Sequence, residues 1–334
     1  MPTVIPEKLN NLKSVKLEGD LLSVARVPGT QRLFVGNDLG KIYDLDMAAE
    51  NPEPVVVEAH VSYVSGLAVV GGHLISAGSD HRMIWWHLET HEQVRSVEAH
   101  EKWIRNLAVH PDGKTVASVG DDMVCRLWNA ETGEMVRELR GHRALTQHHF
   151  RSKLFAVAFS TDGQHVATSD QVGHTVIWDF NSGKEIATLE APTFYEWDTT
   201  AEVFNDHSYG GVRAVAFSPD GKHLAVAGIL NTDAAITNGQ ALLQVFDWRA
   251  GSQTNEFKDG GNFFYENVQF HHEGNWLMAT PGAGSGSNVN FFDLASNKLL
   301  KKIDALRMYD MVLNEQSDTL FAVSNGQVVK FEIV

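Results

Sequence analysis

HEKWIRNLAVHPDGKTVASVGDDMVCRLWN, residues 100–129, sets the pattern for the whole chain. It begins with an alternating run from Ile104, turns at Pro111-Asp112-Gly113-Lys114, and runs through a second apolar stretch to a turn bearing Asp122. A third run then ends on Trp128 and Asn129. Alternation with period two puts one set of side chains on a buried face, so these runs read as strands. Gly and Asp in the short connections supply the positive φ and local capping that tight hairpins need.

Working outward, the third run recurs six more times, each ending in an aromatic followed by a polar residue. The anchors are Tyr43, Trp86, Trp128, Trp178, Phe246, Phe292 and Phe331, spaced 43, 42, 50, 68, 46 and 39 residues apart. Hairpin turns keep phase with them: PGTQ at 28, VGGH at 70, TDGQ at 161, PDGK at 219 and HEGN at 272. A period of about 40–45 residues with an aromatic–acidic ending is that of a four-stranded propeller blade. Seven anchors predict an all-β, seven-bladed β-propeller of four-stranded antiparallel blades, one domain over residues 1–334. VKLEGD at 15–20 matches RELRGH at 137–142, the outer strand and exit of a repeat, while VVKFEIV ends the chain. The N-terminal segment Asn11–Glu18 is therefore expected to pair with the strand ending at Phe331, closing the ring and removing an open edge.

On these residues the chain resembles the WD-repeat β-propeller family over essentially its whole length. The irregular later repeats mark a divergent member, outside the best-known eukaryotic groups. The resemblance implies a hydrogen-bonded tetrad within a blade: a His before it, Ser or Thr on its second strand, Asp in the next turn and Trp on the third strand. His60, Ser76, Asp80 and Trp86 match it, as do His100, Ser118, Asp122 and Trp128. The fourth repeat offers His142, Thr168 and Trp178, but Val172 where Asp is expected. The resemblance also implies a platform for protein binding.

Composition narrows the function. The net charge of −15 repels phosphate backbones, so nucleic acid is not an expected partner. One cysteine, Cys125, forbids an internal disulfide, and no apolar run approaches a membrane span. With no apolar leader in MPTVIPEKLNNLK, the expectation is a soluble, cytoplasmic protein, monomeric by itself.

Ser, His and Asp in the tetrads invite a hydrolase reading, but they recur from repeat to repeat, are tied to Trp, and lack a nucleophile elbow. No catalysis, metal or cofactor is expected. The rival is a metal- or small-ligand-dependent propeller enzyme using His142, His148, His149, His174 and His207, which fall in loops near the fourth and fifth repeats. Against it, the positions at the mouths of the inner strands are Leu22, Ser65, Arg105, Phe155, Arg213, Glu266 and Tyr309, one carboxylate among seven. A structural spacer in a larger assembly is a third reading.

Three insertions account for the long spacings: 143–152, 191–210 and 229–240. All emerge on one face, and the second carries Phe194, Tyr195, Trp197, Phe204 and Tyr209, joined by the loop containing Phe263, Phe264 and Tyr265. Such rings either anchor a partner or pack together as a satellite core. The positions before the inner strands, the strand mouths and the second insertion give the expected contacts for a protein or peptide: Tyr63, Trp103, Arg105, Lys153, Tyr195, Trp197, Arg213, Phe264, Arg307 and Tyr309. Trp103 and Arg105 lead, because Trp and Arg dominate interface energetics.

Overall fold

A computed structural model describes residues 6–147, 149, 151–196, 209–231, 239–284 and 288–334. The described chain is β-structure apart from one short 3₁₀ turn at Pro192–Phe194. Three sheets are four-stranded, antiparallel and consecutive. The first runs Val64–Val70, His73–Gly78, Arg82–His87 and Gln93–Glu98. The second runs Ile104–Val109, Thr115–Gly120, Cys125–Asn129 and Met135–Leu139. The third runs Leu154–Phe159, His165–Asp170, His174–Asp179 and Glu185–Glu190. A fourth sheet has eight strands between Tyr195 and Asp304, and a fifth has six. The apolar alternation explains the order: second and third strands are buried on both faces, as in Thr115–Gly120, whereas outer strands such as Met135–Leu139 begin exposed.

Among the described residues the structure has six blades, not the seven that the anchors suggest. The six-stranded sheet holds both the first and the last anchor, because the strand Leu9–Arg26 is continuous. Its first part pairs with Thr319–Ile333, from Leu9 against Ile333 to Asp20 against Asn325. Its second part pairs with Arg32–Asn37, from Leu21 against Asn37 to Arg26 against Leu33. Tyr43 and Phe331 therefore share one sheet. A register shift between Lys16 and Asp20 lets the strand change partners, and Gly19 takes the required φ of 80° there. The eight-stranded sheet likewise fuses two blades through the 19-residue strand Ser252–Phe270. All seven anchor aromatics are buried, none more than 5% exposed.

Contacts gather the chain into two compact units. One, the terminal unit, comprises Pro6–Gly120, Arg126–Glu138 and Met308–Val334. The described part of the other, the central unit, comprises Asp121–Cys125 and Leu139–Arg307. In the terminal unit, Leu21, Leu33, Val35 and Tyr43 pack against Phe321, Val323 and Val328, so the two ends of the chain share one core. In the central unit, Phe194, Val212, Leu224, Leu242, Phe246 and Trp248 form one cluster, and Phe257, Phe263, Tyr265 and Phe292 lie in another.

An ion pair ties the first hairpin of the terminal unit to the loop before the last strand. Arg26, itself buried, meets Glu315 at 2.6 Å, and Gly29 N–H donates to the same carboxylate at 2.9 Å. The Arg26 bond first, then the Gly29 amide, holds the Glu315 carboxyl down to about 2, against a smaller opposing effect of burial. A carboxyl depressed on folding contributes stability that is complete above its unfolded value and is lost as pH falls toward the folded one. This pair is therefore expected to weaken between about pH 4.5 and 2. Since Glu315 is half-open to water, Glu315→Gln should cost about 1 kcal/mol at neutral pH and flatten that acid limb in urea melts. A variant with the wild-type acid limb would refute it.

Candidate functional site

Four groups meet inside the Val64–Glu98 blade. His60 donates from Nδ1 to the Asp80 carboxylate at 2.9 and 3.0 Å, and its Nε2 meets Ser76 Oγ at 2.8 Å. Trp86 donates from Nε1 to the same hydroxyl at 2.9 Å. Burial resists ionisation of Asp80, but the His60 bond and charge, with the Arg82 and Val61 amides, outweigh it and hold its pKa down. Ser76 is wholly buried, so its hydroxyl is spent and water has no route to it. The arrangement satisfies polar groups in a core and cannot present a nucleophile.

In the next blade, His100 Nε2 meets Ser118 Oγ at 2.7 Å and Trp128 Nε1 donates to it at 2.8 Å. Arg126 Nη1 lies 2.7 Å from His100 Nδ1, and Arg126 Nε donates to Glu138 at 2.8 Å. Asp122 accepts from the Val124 amide at 3.3 Å.

The fourth repeat corrects the sequence reading. Its His142 does have a carboxylate partner, but it is Asp170, at 3.1 Å from Nδ1. Nε2 meets Thr168 Oγ1 at 2.8 Å, and Trp178 Nε1 donates to that oxygen at 2.9 Å. Asp170 sits two residues after the hydroxyl rather than four. It also accepts from the Val172 and His174 amides, each at 3.1 Å. The sequence signal was present: an acidic residue closes the second strand where the earlier blades have Gly78 and Gly120.

Of the loop histidines, His148 and His207 lie outside the described residues. His142 has both nitrogens engaged, and His174 Nδ1 bonds Glu190 at 2.6 Å. His149 is exposed. Among the described residues the closest group of metal-ligating side chains is elsewhere, at His271, His272 and Glu273 on a hairpin turn. There His271 Nδ1 already accepts the Glu273 amide at 3.1 Å, and its ring packs on Trp276.

The expected contact residues divide between the units. In the terminal unit Tyr63 and Trp103 are 44% and 40% exposed, and their rings meet edge to face at 5.9 Å. Arg105 lies over the Trp103 ring at 4.7 Å, and Val61 beside Tyr63 in sequence is 92% exposed. Tyr309 donates to Asn325 at 3.2 Å, and Asn325 donates to Asp20 at 2.8 Å. In the central unit Arg213 lies over Phe155 at 4.4 Å and over Phe264 at 5.5 Å. Lys153 is partly open and Arg307 exposed. Tyr195 is not a surface residue: it is buried and donates to Thr146 at 3.1 Å, and burial raises its pKa. Phe194, Phe263 and Tyr265 are buried too, so much of the loop aromatic content is core. Trp197 lies outside the described residues.

The sequence profile of the WD domain, G-beta repeat, matches residues 91–129 and 199–233. The chain carries repeats of the WD type on a β-propeller. This WD-repeat chain is similar to the guanine nucleotide-binding protein subunit beta-1 of Nicotiana tabacum, 22% identical over 307 residues, which cover 88% of this chain and 70% of that protein. It is similar to the apoptotic protease-activating factor 1 of Rattus norvegicus, 28% identical over 181 residues, 54% of this chain and 13% of that protein. A 50-residue stretch is 44% identical to the Lissencephaly-1 homolog of Caenorhabditis briggsae, covering 15% of this chain and 13% of that protein. The WD-repeat chain thus spans under a sixth of the last two proteins. No helix among its described residues is long and apolar enough to cross a membrane.

Proposed function

We propose that the chain is a non-catalytic scaffold of the cytoplasm that binds a protein or peptide through the residues leading into its inner strands. The observation that carries this is the Tyr63–Trp103–Arg105 cluster. Two large rings stay open to solvent at the starts of rigid strands, with the Arg105 guanidinium over one of them, where burial would have been the favourable default. Their mutual contacts hold the rotamers, which lowers the entropy lost on binding. Lys153, Arg213, Phe264 and Arg307 are the corresponding contacts of the central unit. The family resemblance supports the scaffold role, and the buried state of Ser76, Ser118 and Thr168 argues against hydrolysis.

The test is a quantitative pull-down with the Trp103→Ala, Arg105→Ala double variant. Each truncation of an interface anchor typically costs about 2 kcal/mol or more, roughly thirtyfold in affinity. A major partner should be lost while the melting temperature stays within about 2 °C of wild type. A folded variant with an unchanged partner set would place binding elsewhere.

A further inference from the structure

The inner strands of the central unit hold a carboxyl group that the described structure leaves without a hydrogen-bond partner. Glu266 lies in the strand Ser252–Phe270, half-buried, two residues beyond Phe264. Among the described residues no hydrogen bond reaches it and no cation lies within 4 Å. Burial raises its pKa, and the charge of Arg213, on the neighbouring strand Tyr209–Phe217, offsets this only in part. Arg213 is instead held over the faces of Phe155 and Phe264.

The group is built in. A Cβ on Gly282 would fall 2.6 Å from the Phe264 ring and 2.8 Å from Glu266 Oε2. Only glycine lets both side chains rest against that strand. A half-open carboxylate in an aromatic-walled site, left unpaired, costs free energy that a guest can recover. A cation recovers most, since the carboxylate attracts it directly beside the Phe264 ring. The net charge of −15 also draws cationic partners and repels anionic ones. Arg213 opposes a second cation, which favours a guest that pairs directly with the carboxylate over one attracted only at long range.

Building on the scaffold reading above, we propose that Phe264 and Glu266 receive a lysine or arginine side chain of the protein or peptide partner. Binding then requires the ionised carboxylate. As a carboxyl with a raised pKa ionises later, affinity for the guest increases as pH rises through that pKa and is lost as pH falls below it.

The probes are N-acetyl-arginine amide and N-acetyl-lysine amide, with the uncharged N-acetyl-citrulline amide as control, titrated into the full chain and followed by NMR. At least one cationic amide should bind about tenfold or more tighter than citrulline amide, with the preference growing as pH rises from the acid side. Glu266→Gln should erase the preference with an unchanged or higher melting temperature, because it removes a desolvated charge. Equal affinity for citrulline amide, a preference that survives Glu266→Gln, or no saturable binding of either cation would overturn the inference. The Trp103, Arg105 variant is read separately in the other unit. Partner loss there without a cation preference here sinks this site alone. A cation preference with an intact partner set sinks the Trp103 reading and leaves the site.

Discussion

Deleting residues 1–18 is expected to abolish cooperative folding. The strand Leu9–Arg26 would lose the part that pairs with Thr319–Ile333, exposing Val328, Val329 and Phe331, all now buried. Side-chain ties go with it, such as Asn10 to Glu332 at 3.0 Å. The loss should exceed about 5 kcal/mol, comparable to the whole stability of a typical domain. A bare apolar edge is also a template for aggregation. The check is circular dichroism on heating together with size-exclusion chromatography. A monomeric truncation that melts like the full chain would rule this pairing out as a stabilising element.

The second large effect is at Asp170. Asp170→Ala removes the acceptor of His142 Nδ1 and of two backbone amides from a position only 2% exposed. Leaving such donors unpaired should cost about 2–4 kcal/mol. Asp170→Ala and His142→Ala should not add, since each breaks the same bond; a coupling of about 1 kcal/mol or more in a double-mutant cycle is expected. Val172→Asp, which restores the usual spacing, should not rescue the loss. Full additivity in urea denaturation would show that the His142–Asp170 contact carries no energy.

These two positions mark where sequence reasoning held and where it stopped. Period, turn chemistry and anchor aromatics are local signals, and each anchor is buried where the pattern puts it. The networks around Ser76 and Ser118 were legible because their spacing is regular. Asp170 is not legible because the motif spacing places the acid four residues after the hydroxyl, while the geometry asks only for a carboxylate near His142 Nδ1. Blade count failed for another reason. The two ends of the chain read as separate repeats, yet the strand Leu9–Arg26 is continuous and puts Tyr43 and Phe331 in one sheet. Strand continuity depends on which neighbour supplies the hydrogen bonds, and no window of sequence contains that neighbour. Tyr195 shows the same limit for a site: its side-chain chemistry suits an interface, but only packing reveals that it points to Thr146.

The partners Asn10 and Glu332 are 322 residues apart. During synthesis at about 5–20 residues per second, the first strand waits roughly 15–60 s before its mate leaves the ribosome. Through that interval the earliest part of the chain is an unfinished edge, and contacts of such long range form slowly even once both strands exist. The union that makes the finished molecule hard to open is the one that leaves the nascent chain longest in need of a chaperone.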